Sequence, residues 1–293
     1  MNYKLISTIQ KGMSKDNKSI VEVNNEKLLL RILPISKEKL QHYKMLYLIR
    51  TAKINMSKLR YLYYDDTNIY AFFEYIDGYD LEEYIDELDK KALYDYGVQA
   101  GCILNQIHNN NILKENMEKV NLSNKICIDK IIENYRKFNF KTETSNTIFD
   151  FIIKNIDNKN INLNDYCYLN ADFHYGNFIV KNDKLTLIDL EKYEIGNRYR
   201  DFTFIYTYNE NRTFAYGKIN GYFGNDIPLN FWPQFKFFSA LYILQYYMWE
   251  FKHTGKYDNA TKTMNLFLMD YEDNNLIPKW YSMEKEKCKI MDT

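Results

Sequence analysis

Apolar and polar positions keep two rhythms along the chain: strand-like alternation near the start, and helical spacing over most of the remainder. Within residues 3–32 the runs KLISTI, SIVEV and KLLLRIL, the last entered through Asn24-Asn25, predict two or three strands. A helix is expected over about 36–51. Residues 58–76 then form a hairpin around Asp65-Asp66-Thr67-Asn68, leaving through Asp77-Gly78 into a helix that starts near Leu81. Beyond it, residues 90–110 repeat apolar positions at helical spacing and stop at Asn109-Asn110-Asn111. Residues 124–157 give two more helices broken near Lys141–Thr144, and 202–293 are helical and aromatic, with Pro228, Pro233 and Pro278 as punctuation. The pattern is α+β, with a small β-rich lobe over residues 1–76 and a larger, mainly helical lobe over 77–293.

One short hairpin interrupts the helical part. Phe178-Ile179-Val180 and Leu185-Thr186-Leu187-Ile188 are apolar and β-branched, separated by the polar turn Lys181-Asn182-Asp183-Lys184. Asn177 precedes its first strand and Asp189 comes after its second, so antiparallel pairing returns both to one open end, with strands about 5 Å apart. An amide oxygen and a carboxylate make a poor cage alone. They suit Mg²⁺ that takes its other ligands from phosphates and water, which points to a nucleotide.

Composition narrows the field. Lys+Arg and Asp+Glu are both 39, so no global field favours nucleic acid or an anionic membrane, and neither is expected as a partner. The four cysteines are scattered without a C-x-x-C, as buried free thiols in a reducing cytoplasm would be. FFSALYILQYYMWEF is the longest apolar stretch; Ser239 and Gln245 interrupt it and lysines flank it, so it reads as a buried helix. The N-terminus lacks the roughly 7–15-residue apolar core of a signal peptide. The many Tyr and Phe accompany a chain rich in Asn, Lys and Ile, which weakens any inference from aromatics alone.

Asp172 stands five residues before Asn177, the offset between base and metal-binding Asn in the protein-kinase catalytic loop, and Asp189 comes where that fold keeps its second metal ligand. The stretch 168–191 resembles the aminoglycoside phosphotransferase and choline kinase-like family, whose loop reads H-G-D-x-x-x-x-N before a hairpin and I-D-x-E. Asn170-Ala171-Asp172 takes the place of His-Gly-Asp, Asn177 that of the Asn, and Asp189 with Glu191 that of the closing acids. The run YEIGNRYRDF is similar to the family's Gly-to-Asp segment, with Asp201 as the residue that fixes the loop.

The resemblance implies a bilobal protein-kinase-like fold with a small antiparallel sheet lobe and a helical lobe. It further implies a phosphoryl donor, ATP or GTP, a hydroxyl-bearing small-molecule acceptor, and a monomer or homodimer. Asp172 would be the catalytic base; Asn177 and Asp189 would hold Mg²⁺. Gly12 and Ser14 lie in a strand-to-strand turn, a composition that by itself is more often just a turn; the family's nucleotide-covering loop at this place implies that they would cover the phosphates. Arg31, the one cation in an apolar strand, would hold the non-transferred phosphates and pair with Glu38, or else face solvent at a strand edge. Backbone groups near Glu74 and Ile76 would meet the adenine edge, and His108 would be structural. Trp232, Tyr246, Tyr247, Trp249 and Glu250, with Asp270, Glu272 and Asp273, are candidates to line the acceptor cleft, although an aromatic stripe on a helix is more often plain core. An aminoglycoside is the first acceptor implied, and antibiotic resistance would come only with that choice. A kinase for choline, an amino alcohol or a sugar, and a non-catalytic nucleotide-binding protein, remain open.

Overall fold

The computed structural model describes residues 2–10, 16–117, 124–158, 161–162, 165–190, 194–224, 226–272 and 275–291. The chain opens with β1 (Lys4–Ile9), β2 (Asn17–Val23) and β3 (Glu26–Pro34), then α1 (Lys37–Leu48), β4 (Leu59–Tyr64) and β5 (Asn68–Glu74). These strands form one antiparallel sheet in the order β1-β2-β3-β5-β4. Asn24 and Asn25 both adopt left-handed φ, 50° and 64°, the backbone that a two-residue hairpin demands and that Asn tolerates. One sheet face buries Val21, Val23, Leu28, Leu30 and Phe72. The other, carrying Leu33, Ala71 and Phe73, packs into the main core with α1 and the helical part.

A short connection through β6 (Tyr79–Asp80) and α2 (Leu81–Tyr84) leads to α3 (Lys90–His108), α4 (Asn111–Met117), α5 (Asn124–Lys137) and α6 (Glu143–Asn155). Next come β7 (Tyr166–Leu169), the hairpin β8 (Phe178–Lys181) and β9 (Lys184–Leu187), and β10 (Glu194–Asn197). The hairpin turns at Asn182 and Asp183, both left-handed, as its polar turn cluster predicts. β6 pairs with β8, while Ser57 N–H donates to Leu187 O (2.9 Å) and Leu187 N–H to Asn55 O (3.1 Å), so the hairpin is stitched to the chain on both sides. β7 pairs with β10, which returns the chain toward Asp201. The described helices close with α7 (Phe204–Thr207), α8 (Arg212–Phe223), α9 (Phe231–Thr254), α10 (Asp258–Asp270) and α11 (Lys279–Met291).

α3 and α8 cross at glycines. A Cβ on Gly101 would lie 2.1 Å from Lys218 O and one on Gly217 2.3 Å from Tyr94 O, so the two backbones touch without side chains between them. The long apolar stretch is α9, buried on nearly all sides, with Pro233 in its first turn where a missing N–H costs nothing. No helix among the described residues is long and apolar enough to cross a membrane.

Candidate active site

The loop after β7 is held from beneath by one buried carboxylate. Asp201 accepts N–H groups from Asn170 (2.9 Å) and Ala171 (2.8 Å), and His108 Nε2 donates to it at 3.0 Å. Tyr222 OH bonds His108 Nδ1 (2.9 Å), so His108 is the structural histidine expected, and Asp201 the loop anchor. Ala171 is left-handed at φ 58°, which explains why glycine is at home here; the Cβ costs about 1–2 kcal/mol, opposed by the two Asp201 bonds. Asn170 Oδ1 accepts Asp172 N–H at 3.0 Å, so the side chain standing for the family's His closes the turn with its amide oxygen.

Asp172 and Asn177 are brought together by this loop: Asn177 Nδ2 donates to Asp172 O at 2.7 Å. That leaves Asn177 Oδ1 without a partner among the described residues, aimed away from the bond that fixes the amide. Ile188 N–H donates to Asn177 O (2.9 Å), placing Asp189 at the same hairpin end, as its spacing predicts. An anchored amide oxygen and a carboxylate one-third exposed are the hard oxygen donors Mg²⁺ prefers. No group of three or more His, Cys, Asp or Glu among the described residues could hold a metal.

Three residues that the sequence did not flag complete the wall beside Asp172. His174 Nδ1 accepts Gly176 N–H (3.1 Å), which puts the proton on Nε2, 3.7 Å from Asp172 Oδ1. Its ring stacks on Tyr208 at 3.8 Å, and Tyr208 OH donates to Glu82 on α2. His174 falls in the unspecified positions of the loop pattern, and Tyr208 is hidden by the aromatic-rich composition around it.

Across the site, Arg31 is buried and bonds Asp16 (2.6 Å) and Asp189 (3.2 Å). The pairing expected with Glu38 does not form. Glu38 is exposed in the first turn of α1, where backbone N–H groups and Ser36 hold its carboxyl below the usual range, and Asp16 supplies the acid from β2's own approach. What α1 contributes is His42, whose Nε2 donates to Leu190 O (3.0 Å) and whose Nδ1 accepts Tyr168 OH (3.1 Å). Burial, and less so Arg31, lower its pKa to about 4 against the opposing Leu190 carbonyl. Because the folded value lies below 6.5, the unfolded chain takes the proton first as pH falls. His42 stabilisation is therefore complete above pH 6.5 and is lost as pH falls toward 4, by at most about 3 kcal/mol. His42→Gln should flatten that acid limb in urea midpoints measured against pH.

The remaining expected positions divide. Ile76 N–H has no partner among the described residues, whereas Glu74 N–H is spent on Lys58 O (2.9 Å) and its carbonyl accepts Ser57 Oγ (2.8 Å). Gly12, Ser14, Glu191 and Asp273 lie outside the described residues. Three of the acceptor candidates on α9 are corrected: Trp232 and Tyr247 are core, and Glu250 is buried and caps α10 by accepting Ala260 N–H at 2.8 Å. Asp270 accepts Tyr206 OH (3.1 Å) and Glu272 pairs with Lys279 (2.6 Å). Tyr246 and Trp249 stack on each other at 6.0 Å. Of the five α9 candidates, Trp249 alone is exposed, near the C-terminal end of the helix; the rest of α9 is apolar on nearly all sides and faces core.

An antiparallel sheet at the N-terminal end, a helical body, and a carboxylate loop leading into a short hairpin make this a kinase-like phosphotransferase fold. A model of the phosphotransferase enzyme family matches residues 6–232, and the chain belongs to that family. No curated protein matches it by sequence. Among solved structures, APH(2")-IIia with GDP and kanamycin is 15% identical, with a TM-score of 0.66 over 93% of this chain and 95% of that one. The aminoglycoside phosphotransferase APH(4)-Ia with ADP and hygromycin B is 12% identical (TM-score 0.63; 90% and 92% covered). Plasmodium vivax ethanolamine kinase is 15% identical (TM-score 0.53; 90% and 80%). At such identities the likeness is one of fold.

Proposed function

We propose that the chain is a small-molecule kinase that moves the γ-phosphoryl of ATP or GTP to a hydroxyl of a small acceptor, an aminoglycoside-like molecule first among them. The nucleotide would sit between residues 1–76 and 77–293. The observation that carries this reading is the convergence of Asp172, Asn177, Asp189 and Arg31 at one hairpin end. Asp172 takes the acceptor's hydroxyl proton as the oxygen attacks, or orients that oxygen. Asn177 Oδ1 and the Asp189 carboxylate would hold Mg²⁺, whose charge offsets that of the phosphates. Arg31 steadies the phosphates that are not transferred, exchanging Asp189 for phosphate oxygens that its planar donor fork meets in pairs. Ile76 N–H would donate to the adenine edge.

Kinases of amino alcohols share this reading up to the acceptor. His174, Tyr208 and Glu82 favour an ammonium-bearing acceptor in either case, since aromatic faces and a carboxylate both attract cations. A panel of aminoglycosides, choline, ethanolamine and sugars separates the two. A non-catalytic nucleotide binder would show a nucleotide-dependent thermal shift and no transfer across that panel.

Asp189→Asn tests the metal assignment. In the wild type, Mg²⁺ should raise ATP affinity; in the variant, affinity with Mg²⁺ should fall to that of metal-free ATP, measured by calorimetric titration. Equal Mg-ATP affinity in the two proteins would remove Asp189 from the metal site.

A further inference from the structure

We propose that Lys18 is a second phosphate-binding cation of the nucleotide site, working beside Arg31; this rests on the phosphotransferase reading. Lys18 in β2 lies directly opposite Arg31 in β3, and directly opposed residues of an antiparallel pair project to the same face about 5 Å apart. The face is set by the alternation of β3. Leu28 and Leu30 point into the small cluster with Val21, Val23 and Phe72, so Arg31 and Lys18 lie on the side of Leu33 and Ala71, which meets the helical part. Arg31's bond to Asp189 fixes that side as the one over the hairpin end.

The two cations differ in how they are satisfied. Arg31 is buried and holds both nearby acids, Asp16 and Asp189. Lys18 is half-buried, feels both of those carboxylates, and makes no hydrogen bond or ion pair among the described residues. Burial and the neighbouring guanidinium pull its ammonium pKa down, against the two acids. Lys58, just before β4, shows what a structural lysine of similar burial does: its Nζ donates to Ala52 O (2.8 Å) and Ile54 O (2.6 Å). Lys18 has no such carbonyls.

An unpaired, partly desolvated ammonium next to a second cation is relieved by an anion carrying more than one charge. A nucleoside triphosphate supplies it. The guanidinium fork of Arg31 takes two oxygens of one phosphate, and the compact Lys18 ammonium takes a neighbouring phosphate as a point charge. Asp189 is then released to the metal while Asp16 stays on Arg31, so that Lys18 and Asp16 complete a charge set of which β3 alone shows one member.

Lys18→Met and Lys18→Arg test it, titrated calorimetrically with Mg-ATP, Mg-ADP, AMP and adenosine, with Arg31→Met as comparison. Lys18→Met should lose roughly 10- to 100-fold in Mg-ATP affinity, as expected of a lost charge-assisted bond, and little for adenosine. Lys18→Arg should recover most of the loss, and the thermal midpoint without nucleotide should not fall. Unchanged Mg-ATP affinity in Lys18→Met, with Arg31→Met impaired, overturns the assignment and leaves the phosphotransferase reading standing. An equal loss for adenosine and Mg-ATP also overturns it, because that is the mark of a structural lysine. If the wild type binds no nucleotide, the parent reading fails and this one with it.

Discussion

Asp172→Asn should keep Mg-ATP affinity within about threefold of wild type while phosphoryl transfer falls roughly 10²–10⁴-fold, the range typical of losing a general base. The loop geometry argues for so clean a separation. Asn177 is tied to the backbone carbonyl of Asp172, and Asp172 N–H is tied to Asn170 Oδ1, so neither bond uses the carboxylate. Asp201 holds the two preceding residues from below. An amide in place of the carboxylate therefore leaves Asn177 and its amide oxygen where they are. It also keeps an oxygen that the Nε2 proton of His174 can face. On the proposed mechanism, what the change removes is the negative charge that would accept the hydroxyl proton. Rates are read as Mg²⁺-dependent ATP hydrolysis without acceptor and as transfer across the aminoglycoside and amino-alcohol panel. A variant that transfers at the wild-type rate would take Asp172 out of the chemistry, and a wild type with no turnover on any acceptor would support the non-catalytic alternative.

The parts of this site that the sequence discloses are those fixed by local rules. Asn177 and Asp189 fall at one hairpin end because two apolar β-branched runs flank a turn whose Asn182 and Asp183 accept left-handed backbone, and that geometry holds. Asp172 is legible from a fixed offset within one loop. Partners chosen by strand register or by helix docking leave no local trace. Asp16 sits in a polar approach to β2, and only the pairing of β2 with β3 puts it and Lys18 beside Arg31. Glu38 looks like the natural acid because it opens the helix after β3, yet the first turn of that helix is exposed, and the residue that reaches the site is His42, one turn on. The short strands β6, β7 and β10 have no room for alternation, and β6 is only two residues long. Aromatic residues on α9 mislead for the opposite reason: an abundance set by composition says nothing about which face meets a cleft.

Lys218→Met should cost about 3–5 kcal/mol of folding stability, the loss expected when one member of a buried ion pair is removed and the other keeps its charge. Lys218 and Glu210 are both buried and bonded to each other. Burial pushes the Glu210 carboxyl up and the Lys218 ammonium down, and each restrains the shift of the other. Glu210 Oε1 is buried and makes no hydrogen bond among the described residues, so an orphaned carboxylate would have no second partner to turn to. The double variant Lys218→Met with Glu210→Leu should regain most of that stability, since apolar side chains of similar volume often replace a buried pair at no cost. Denaturant midpoints with an unchanged slope decide this part. The pair's position suggests why a chain would keep so costly a feature: the Lys218 ammonium lies 5.8 Å from the ring centroid of Phe173, the residue between Asp172 and His174. Phe173 is fully buried and meets Phe178 edge-on, so its ring seats the Asp172 loop on the hairpin. The double variant should then fold as well as wild type but transfer phosphoryl more slowly, because the ring loses the cation that holds its face. A double variant that is both stable and fully active would show that the ion pair does not position the loop.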